Sequence, residues 1–354
     1  MENIYIKLRE RLDTYSFGFP ATESGIEITL LKKLFTESDA AFFLNLSLKL
    51  EESENIAERL NMSPDIVKDK LEELASKGVI FRQKSGGKVR YGAIPFMHGV
   101  AEFQIKRVDR ELSNLLQQFF KEAYNRNIAD NAENFLRVIP VQKYVDIERH
   151  IAAYNDVQAI FENSDLIVVA ECLCRKHKTL LDEGCGRPIE TCFMFGSMAQ
   201  YYIDNKLGRK VEKEEALRIV AEAQKAGCVT QPATSQNPTG LCNCCGDCCA
   251  VLGAIKANPK PAEFVFSNYF ASIEQEACIG CEACKEICPM EAIFMNSSGR
   301  AEVNLDRCIG CGLCLMTCNY DAVKLNEKPE GNRKAVPVNT RDQMIQMAKK
   351  RGLV

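Results

Sequence analysis

Eight cysteines in the C-terminal part of the chain fall into two runs that share the spacing C-x2-C-x2-C-x3-C. The first run is Cys278, Cys281, Cys284 and Cys288, and the second is Cys308, Cys311, Cys314 and Cys318. Bacterial iron–sulfur proteins use this spacing to hold two [4Fe–4S] clusters, and the fourth cysteine of each run ligates the other cluster. The spacing therefore predicts one cluster on Cys278, Cys281, Cys284 and Cys318, and a second on Cys308, Cys311, Cys314 and Cys288.

The two runs belong to an internal repeat, because residues 278–293 (CIGCEACKEICPMEAI) align with residues 308–323 (CIGCGLCLMTCNYDAV). Gly280, Gly310 and Gly312 are expected to permit the sharp turns that wrap each loop around its cluster. On these residues the segment resembles the bacterial dicluster ferredoxin family, which implies a role in electron transfer. Asn319 stands where a second proline is usual, a difference that affects local shape rather than cluster ligation.

Zinc is the main alternative to iron, since paired C-x2-C knuckles also bind zinc. Structural zinc sites rarely repeat three cysteines at two-residue steps, so we favour iron. The opening residues MENIYIKLRE do not resemble a secretory signal, which predicts a cytoplasmic protein. In that reducing compartment the 18 cysteines are expected to be metal ligands rather than disulfides.

Composition bounds the remaining possibilities. A chain of 354 residues with 46% hydrophobic and 26% charged residues is expected to form two or three globular domains. Its net charge of −3 does not suggest a nucleic-acid-binding polycation. Apolar stretches such as 166–170 are too short to span a membrane. Nucleotide-binding glycine motifs are absent, which favours electrons that arrive from a separate redox protein over a built-in nicotinamide, flavin or ATP site.

The N-terminal third predicts three helices followed by a hairpin. Helices are expected over 40–50 and 54–60, and a third helix is expected to start with Ser63 as its N-cap and Pro64 at its first position. Two β-prone runs on either side of a Gly-Gly turn predict a hairpin over 79–93. This order resembles a winged helix-turn-helix.

Charge favours protein docking over DNA binding for this winged-helix-like region. Residues 51–100 contain eight basic and eight acidic side chains, and the third helix is not basic. A helix that lies among phosphates should be basic. Only Lys84, Lys88 and Arg90 of the predicted wing keep DNA binding as an alternative.

The segment 98–165 is expected to be a helical connection with a strand near 135–141. It shows no pattern of catalytic or ligand residues. His98 and His150 stand alone in the sequence, so a surface or core position is expected for each rather than a ligand role.

Ten more cysteines lie between residues 172 and 249. One group is Cys172, Cys174, Cys185 and Cys192, and a denser group is Cys242, Cys244, Cys245, Cys248 and Cys249. A buried strand is expected over 166–170, and a helix is expected from Cys192 onward. These nine thiols suffice for one or two further [4Fe–4S] clusters, although the spacing leaves their partition open. Structural zinc and an iron site with an open position remain alternatives. Cys228 is expected to be an ordinary buried thiol.

Three further motifs extend a resemblance over nearly the whole chain. They are Tyr91-x-x-x-Pro95-Phe96, Cys172-x-Cys174-Arg175, and the C-x2-P-x-E-x-C run from Cys185 to Cys192. With the cysteine-rich loop and the C-terminal runs, they resemble the 4Fe-4S dicluster-domain ferredoxins of anaerobes. The resemblance implies cluster binding and anaerobic redox metabolism but names no reaction.

Together these observations predict an α+β multidomain protein. The expected parts are a winged-helix-like domain (1–97), a helical connection (98–165), a mixed cysteine-rich domain (166–262), a ferredoxin-like dicluster domain (263–328) and a tail helix (329–354). The leading hypothesis is an electron carrier that serves partner oxidoreductases. One alternative is an oxidoreductase with a substrate-reactive cluster in the middle domain, near Arg175, Arg187 and Glu190. The other alternative is a redox-sensing DNA-binding regulator.

Overall fold

The computed structural model describes residues 3–142 and 152–354, so the prediction for His150 lies outside the described residues. The described α-helices are α1 (Ile4–Asp13), α2 (Ile26–Leu34), α3 (Glu37–Phe43), α4 (Ser53–Leu60), α5 (Pro64–Ser76), α6 (Arg110–Phe119), α7 (Asn125–Asn131), α8 (Val157–Glu162), α9 (Leu173–Leu180), α10 (Gly196–Asp204), α11 (Lys213–Lys225), α12 (Ala250–Lys256), α13 (Ala283–Glu286), α14 (Leu313–Thr317) and α15 (Thr340–Lys350). Shorter 3₁₀ and π turns lie at Phe96–Val100, Glu102–Gln104, Phe120–Tyr124, Ala132–Asn134, Ala153–Asn155, Pro261–Glu263 and Glu330–Asn332. The strands are β1 (Phe81–Ser85), β2 (Lys88–Gly92), β3 (Ile167–Glu171), β4 (Glu190–Phe195), β5 (Gly208–Lys210), β6 (Val229–Pro232), β7 (Gly240–Cys244), β8 (Tyr269–Ile273), β9 (Ile293–Met295), β10 (Ala301–Val303) and β11 (Val323–Glu327).

The N-terminal helices are followed by a two-stranded hairpin, in the order that the sequence predicts. Helix α3 begins after a capping box at Thr36 and ends at Phe43, earlier than the predicted end at residue 50. Helix α5 has Pro64 in its first turn, although the Ser63 side chain forms no capping hydrogen bond. The hairpin turns at Gly86 and Gly87, whose φ angles of 58° and 74° suit glycine.

The hairpin packs against the middle domain. The ring of Phe81 lies 5.3 Å from that of Tyr201 on α10. The buried Tyr201 hydroxyl donates to the carbonyl oxygens of Ala75 (2.7 Å) and Ile80 (3.2 Å). Arg82 and Lys84 form ion pairs with Asp204 at the end of α10. These contacts attach the N-terminal region to the cysteine-rich domain.

An antiparallel five-stranded sheet, in the order β5-β3-β4-β7-β6, forms the centre of the middle domain. Side chains alternate between its two faces. On one face Val169, Phe193 and Leu241 pack into an apolar core with α8 and α11. The opposite face carries cysteines, among them Cys192 and Cys242. This alternation determines which thiols share a surface.

Two sequence expectations for the middle region need correction or refinement. Cys192 does not begin a helix, because residues 190–195 form β4 with strictly alternating burial, and helix α10 starts only at Gly196. The predicted strand near 135–141 forms only isolated bridges, from Leu136 to Ala233 and from Arg137 to Phe266. The predicted buried strand near 166–170 is present as β3.

The C-terminal segment contains two antiparallel strand pairs, β8 with β11 and β9 with β10, with one short helix from each cysteine run. It packs directly on the middle domain. A Cβ atom on Gly246 would lie 2.6 Å from the carbonyl oxygen of Pro289, so the two backbones are in close contact there. Among the described residues, none of the helices has the length and apolar character that crossing a membrane requires.

Candidate metal centres

Two small cavities in the C-terminal segment are each surrounded by four cysteines. One, of about 20 Å³, is lined by Cys278, Cys281, Cys284 and Cys318. The other, also about 20 Å³, is lined by Cys288, Cys308, Cys311 and Cys314. We call these the first and second ferredoxin cavities. Each takes its fourth cysteine from the other run, which is the grouping that the spacing predicts.

Backbone geometry in both runs fits the wrapping of a cluster. A Cβ on Gly280 would lie 2.2 Å from the Gly299 carbonyl oxygen, and one on Gly310 would lie 2.2 Å from that of Tyr269. Both glycines have positive φ, at 75° and 68°. Other residue types would be excluded at these two turns by contact with backbone as well as by φ. The Glu282 backbone, with φ of 62°, occupies the left-handed conformation that Gly312 occupies in the other run.

The thiols of these cavities also accept backbone hydrogen bonds. The amide of Ala301 points to the Cys278 sulfur (3.4 Å), that of Ala292 to Cys288 (3.3 Å) and that of Ala271 to Cys308 (3.4 Å). Burial raises the pKa of the Cys314 thiol well above its usual range, so the free thiolate is disfavoured there. Each cavity thus offers four thiols, and backbone amides point at some of their sulfur atoms. This arrangement suits a cluster whose thiolate ligands are negatively charged.

A third cavity, of about 110 Å³, lies in the middle domain. Six cysteines line it: Cys172, Cys174, Cys192, Cys242, Cys244 and Cys249. We call it the six-thiol cavity. Side-chain contacts link the six thiols in a closed ring, in the order 172, 174, 249, 244, 242 and 192 and back to 172. The structure thus unites members of both sequence groups in one site.

Local structure explains this convergence. Cys242 and Cys244 lie on β7 two residues apart, so they project from the same face of the sheet, beside Cys192 of β4. Cys172 and Cys249 occupy the N-cap positions of α9 and α12. The Cys249 sulfur accepts the Leu252 amide at 3.5 Å. Two helix starts therefore face one sheet surface across the cavity.

The N-terminal region completes the cavity wall, with His98 and Glu102 as its titratable groups. The Nε2 atom of His98 lies 3.9 Å from the Cys242 sulfur. Burial opposes protonation of His98, but the neighbouring Cys242 sulfur outweighs burial and raises its pKa to about 9. Burial raises the pKa of Glu102, which accepts the Gly99 amide at 3.0 Å. The backbone of His98 has a positive φ of 53°.

The sequence did not identify these two residues as part of a site. His98 is separated from Cys242 by most of two domains, so spacing carries no signal for their contact. The available hint was its position two residues after the Tyr91–Phe96 motif. His98 is half-buried, and its ring faces the thiols.

Three further thiols form a separate group that we call the three-thiol site. The sulfur atoms of Cys185, Cys245 and Cys248 all lie within 4.8 Å of one another. The sulfur atoms of Cys185 and Cys245 are 3.8 Å apart. Cys228 packs in the same small buried cluster, without belonging to that close trio. The dense loop therefore sends Cys244 and Cys249 to the six-thiol cavity, and sends Cys245 and Cys248 to the three-thiol site.

Arginines accompany these thiols. Arg175 is 2% exposed, and it donates to the carbonyl oxygens of Pro188 and Asn243, to the Thr191 hydroxyl (2.9 Å) and to the Cys228 sulfur (3.6 Å). Arg187 contacts Asp247 and donates to the Ala226 carbonyl at 2.8 Å.

Glu190 lies on β4, two residues before Cys192. It pairs with Arg209 at 2.7 Å near the surface. The two arginines therefore lie beside the thiols, whereas the carboxylate of Glu190 is already paired with a surface cation.

Comparison with known proteins agrees with the C-terminal geometry. Residues 271–325 match the 4Fe-4S dicluster domain family. Searches of curated proteins and of solved structures returned no significant match. The matched segment contains both ferredoxin cavities and all eight of their cysteines. This chain therefore carries a 4Fe-4S dicluster domain, and that domain with the cysteine-rich region supports a role in iron–sulfur electron transfer.

Proposed function

We propose that this protein passes low-potential electrons between partner oxidoreductases through three iron–sulfur centres: one in each ferredoxin cavity and one in the six-thiol cavity. Clusters of this type supply one-electron chemistry without a proton or group transfer. The observation that carries the proposal is the direct contact between Gly246 of the dense cysteine loop and Pro289, the residue after Cys288. A ligand of the second ferredoxin cavity thus lies beside the loop that supplies the middle domain's thiols.

Other contacts hold the C-terminal domain against the region of the dense cysteine loop. Lys256, at the end of α12, pairs with Glu291 at 2.7 Å. Arg307 donates to the Met290 carbonyl at 2.8 Å and to the Lys256 carbonyl at 3.2 Å. The connecting segment contributes one more contact, because the carbonyl of Cys311 accepts the Val141 amide at 3.2 Å. The second ferredoxin cavity is therefore fixed against the middle domain, which suits electron transfer between the two.

The first ferredoxin cavity is the proposed docking end. Its ligand Cys281 is exposed, whereas the corresponding Cys311 of the second cavity is half-buried. Ile279 and Tyr320 line it and have exposed fractions of 59% and 51%. Exposed apolar side chains beside a cluster ligand suit transient docking of a redox protein. Electrons would then pass from the first cavity to the second and on to the middle domain.

A second candidate function is substrate reduction at the six-thiol cavity. Six thiols exceed the four that one cubane needs, and the cavity of about 110 Å³ is several times larger than either ferredoxin cavity of about 20 Å³. A neighbouring cavity of about 180 Å³ shares Cys174 and Cys249 with it. Together they offer space beside a cluster for a small molecule, and His98 and Glu102 offer proton carriers.

DNA binding receives less support than either. Of the three basic residues of the hairpin, Lys84 pairs with Asp204, and Lys88 and Arg90 both approach Glu52. The hairpin strand β1 also packs on α10. A wing that is neutralised and held in this way is poorly suited to phosphate contacts. We therefore propose that the winged-helix-like region serves as a structural and protein-docking unit.

The test is anaerobic analysis of iron and acid-labile sulfide in the full chain and in two serine variants. Wild type should contain about twelve irons or more: about eight from the ferredoxin cavities and at least four from the six-thiol cavity. Cys192→Ser alters only the six-thiol cavity and leaves five thiols there, so it should change the electron paramagnetic resonance signal of that centre and leave the ferredoxin signals unchanged. The matched variant Cys281→Ser should keep the signal of the six-thiol centre and lose signal from the first ferredoxin cavity. About eight irons in both wild type and Cys192→Ser would reject the middle centre.

Kinetics and binding separate the three functions. In the electron-transfer function, a reduced low-potential donor protein reduces the six-thiol centre, and Cys281→Ser slows this step. In the substrate-reducing function, a small molecule reoxidises the reduced centre in the absence of an acceptor protein. Salt-dependent binding of duplex DNA that changes with oxidation would instead support the regulator.

A further inference from the structure

The three-thiol site has a different geometry from the cavities assigned to clusters. Its sulfur atoms all lie within 4.8 Å of one another, and among the described residues no other group of three potential metal ligands meets that limit. The four thiols of each ferredoxin cavity, which match a cluster-binding family, are spread more widely. The members of the six-thiol cavity are also spread more widely, since they surround an open space. The three-thiol site is thus a narrow set, with short distances between all of its sulfur atoms, whereas the three cavities are wide sets.

The narrow set has the dimensions of a single tetrahedral ion. Zinc–thiolate bonds of about 2.3 Å at tetrahedral angles place neighbouring sulfurs about 3.8 Å apart. The Cys185 and Cys245 sulfurs are 3.8 Å apart. We propose that Cys185, Cys245 and Cys248 bind one zinc ion, separately from any iron–sulfur cluster, and that Cys228 supplies the fourth thiolate.

Cys228 fits the fourth position by packing and by charge. It is fully buried and shares one small cluster with the three other thiols and Ala223. A zinc ion with four thiolates has a net charge of −2. Arg175 donates to the Cys228 sulfur at 3.6 Å, and Arg187 contacts Asp247 within the same loop. Arg175 would offset part of this charge, while Arg187 balances the carboxylate of Asp247 beside the site. A buried anion without a neighbouring cation would be strongly destabilising.

The proposed zinc ion acts structurally, since zinc has no redox chemistry. It connects Cys185, in the loop before β4, to two positions of the dense loop. Fixing Cys245 and Cys248 also fixes their neighbours Cys244 and Cys249, which face the six-thiol cavity. Zinc binding would therefore shape the cavity in which we propose the third iron–sulfur centre. This inference depends on the geometry of the narrow set and not on the presence of that centre.

The primary experiment uses the anaerobically purified full chain. Metal analysis should find about one zinc per chain in addition to iron, and X-ray absorption at the zinc edge should find four sulfur neighbours at about 2.3 Å. Absence of zinc, or zinc bound by nitrogen or oxygen atoms, would overturn the proposal. Iron at these thiols, whether mononuclear or in a cluster, would overturn it as well.

Variants then assign the ligands. Cys185→Ala should lose the zinc, because Cys185 belongs to the three-thiol site alone. The matched control Cys281→Ser should keep zinc at about one per chain while losing iron. Cys228→Ser should weaken zinc retention against a chelator at least tenfold and replace one of the four sulfur neighbours by oxygen. Unchanged zinc content and affinity in Cys185→Ala would refute the site, and an unchanged zinc spectrum in Cys228→Ser would refute the fourth ligand. If a variant does not fold, the wild-type absorption spectrum alone decides.

The outcomes keep this inference apart from the proposed function. About twelve irons without zinc would refute the zinc site and leave the electron-transfer proposal in place. About eight irons with one zinc would support the zinc site and refute the middle iron–sulfur centre.

Discussion

Replacing Gly246 by alanine should weaken the contact between the dense cysteine loop and the C-terminal domain. The new Cβ would lie 2.6 Å from the Pro289 carbonyl oxygen, whereas an ordinary contact starts at 3.4 Å. One of the two backbones must therefore move by about 0.8 Å, the difference between these distances. The obstacle is backbone rather than a flexible side chain, so overpacking should cost about 1–3 kcal/mol.

The matched control is Gly253→Ala in α12, in the same region of the chain. A Cβ at Gly253 has no neighbour within 4 Å. Alanine in a helix interior is favoured over glycine, so this variant should gain about 0.5–1 kcal/mol. The same change in side chain should thus have opposite effects at two positions seven residues apart.

The assay is thermal unfolding of the anaerobic protein, followed by far-UV circular dichroism and by bleaching of iron–sulfur absorbance. Gly246→Ala should lower the apparent midpoint by about 1–4 °C, and Gly253→Ala should raise or maintain it. Under the electron-transfer proposal, Gly246→Ala should also slow reduction of the six-thiol centre, because the backbone contact beside Cys288 is displaced. An unchanged or higher midpoint for Gly246→Ala would refute the close contact and the route that depends on it.

Two further predictions concern buried side chains near the metal centres. Burial, reinforced by Lys178, lowers the pKa of His177 to about 4, so between pH 6.5 and 4 the unfolded chain takes up a proton that the folded chain does not. The contribution of neutral His177 to the free energy of unfolding is complete above pH 6.5, and about 2 kcal/mol of it is lost when the pH falls to 5. His177→Gln should therefore reduce the difference in melting temperature between pH 7 and pH 5. An undiminished difference would contradict the assignment of this pH dependence to His177. Arg175→Lys removes the planar fork that serves two carbonyls, a hydroxyl and a thiol, so the apparent midpoint should fall by the equivalent of about 1–3 kcal/mol for each acceptor left unsatisfied. The more exposed Arg187→Lys should change the midpoint much less, and equal losses in both variants would count against the buried network.

The ferredoxin cavities were accessible to sequence reasoning because their ligands lie in two short repeats. Three cysteines of one run supply three of the four thiols around a cavity. The fourth thiol must then come from a nearby part of the same domain. The hairpin was equally local, since Gly86 and Gly87 determine its turn. Strand β3 was visible as a short apolar run.

The division of the middle cysteines was not accessible in this way. Cys244 and Cys245 are adjacent in the sequence, yet they face different sites because the chain changes direction as β7 ends. Cys185 and Cys192 lie in one motif, but Cys192 is on the strand and Cys185 is in the preceding loop. Neighbouring cysteines in the sequence look like one motif. In the structure, however, the alternation of side chains along a strand and the position of a helix start decide which site each cysteine faces.

The exchange of Cys288 and Cys318 between the two runs links the occupancy of the two ferredoxin cavities. On the proposed ligand assignment, filling one cavity orders a loop that supplies a thiol to the other. Such coupling is reciprocal, so each metal centre raises the affinity of its partner by the same factor. Loading and oxidative loss should therefore be cooperative, and chains with a single ferredoxin cluster should be scarce during both assembly and decay.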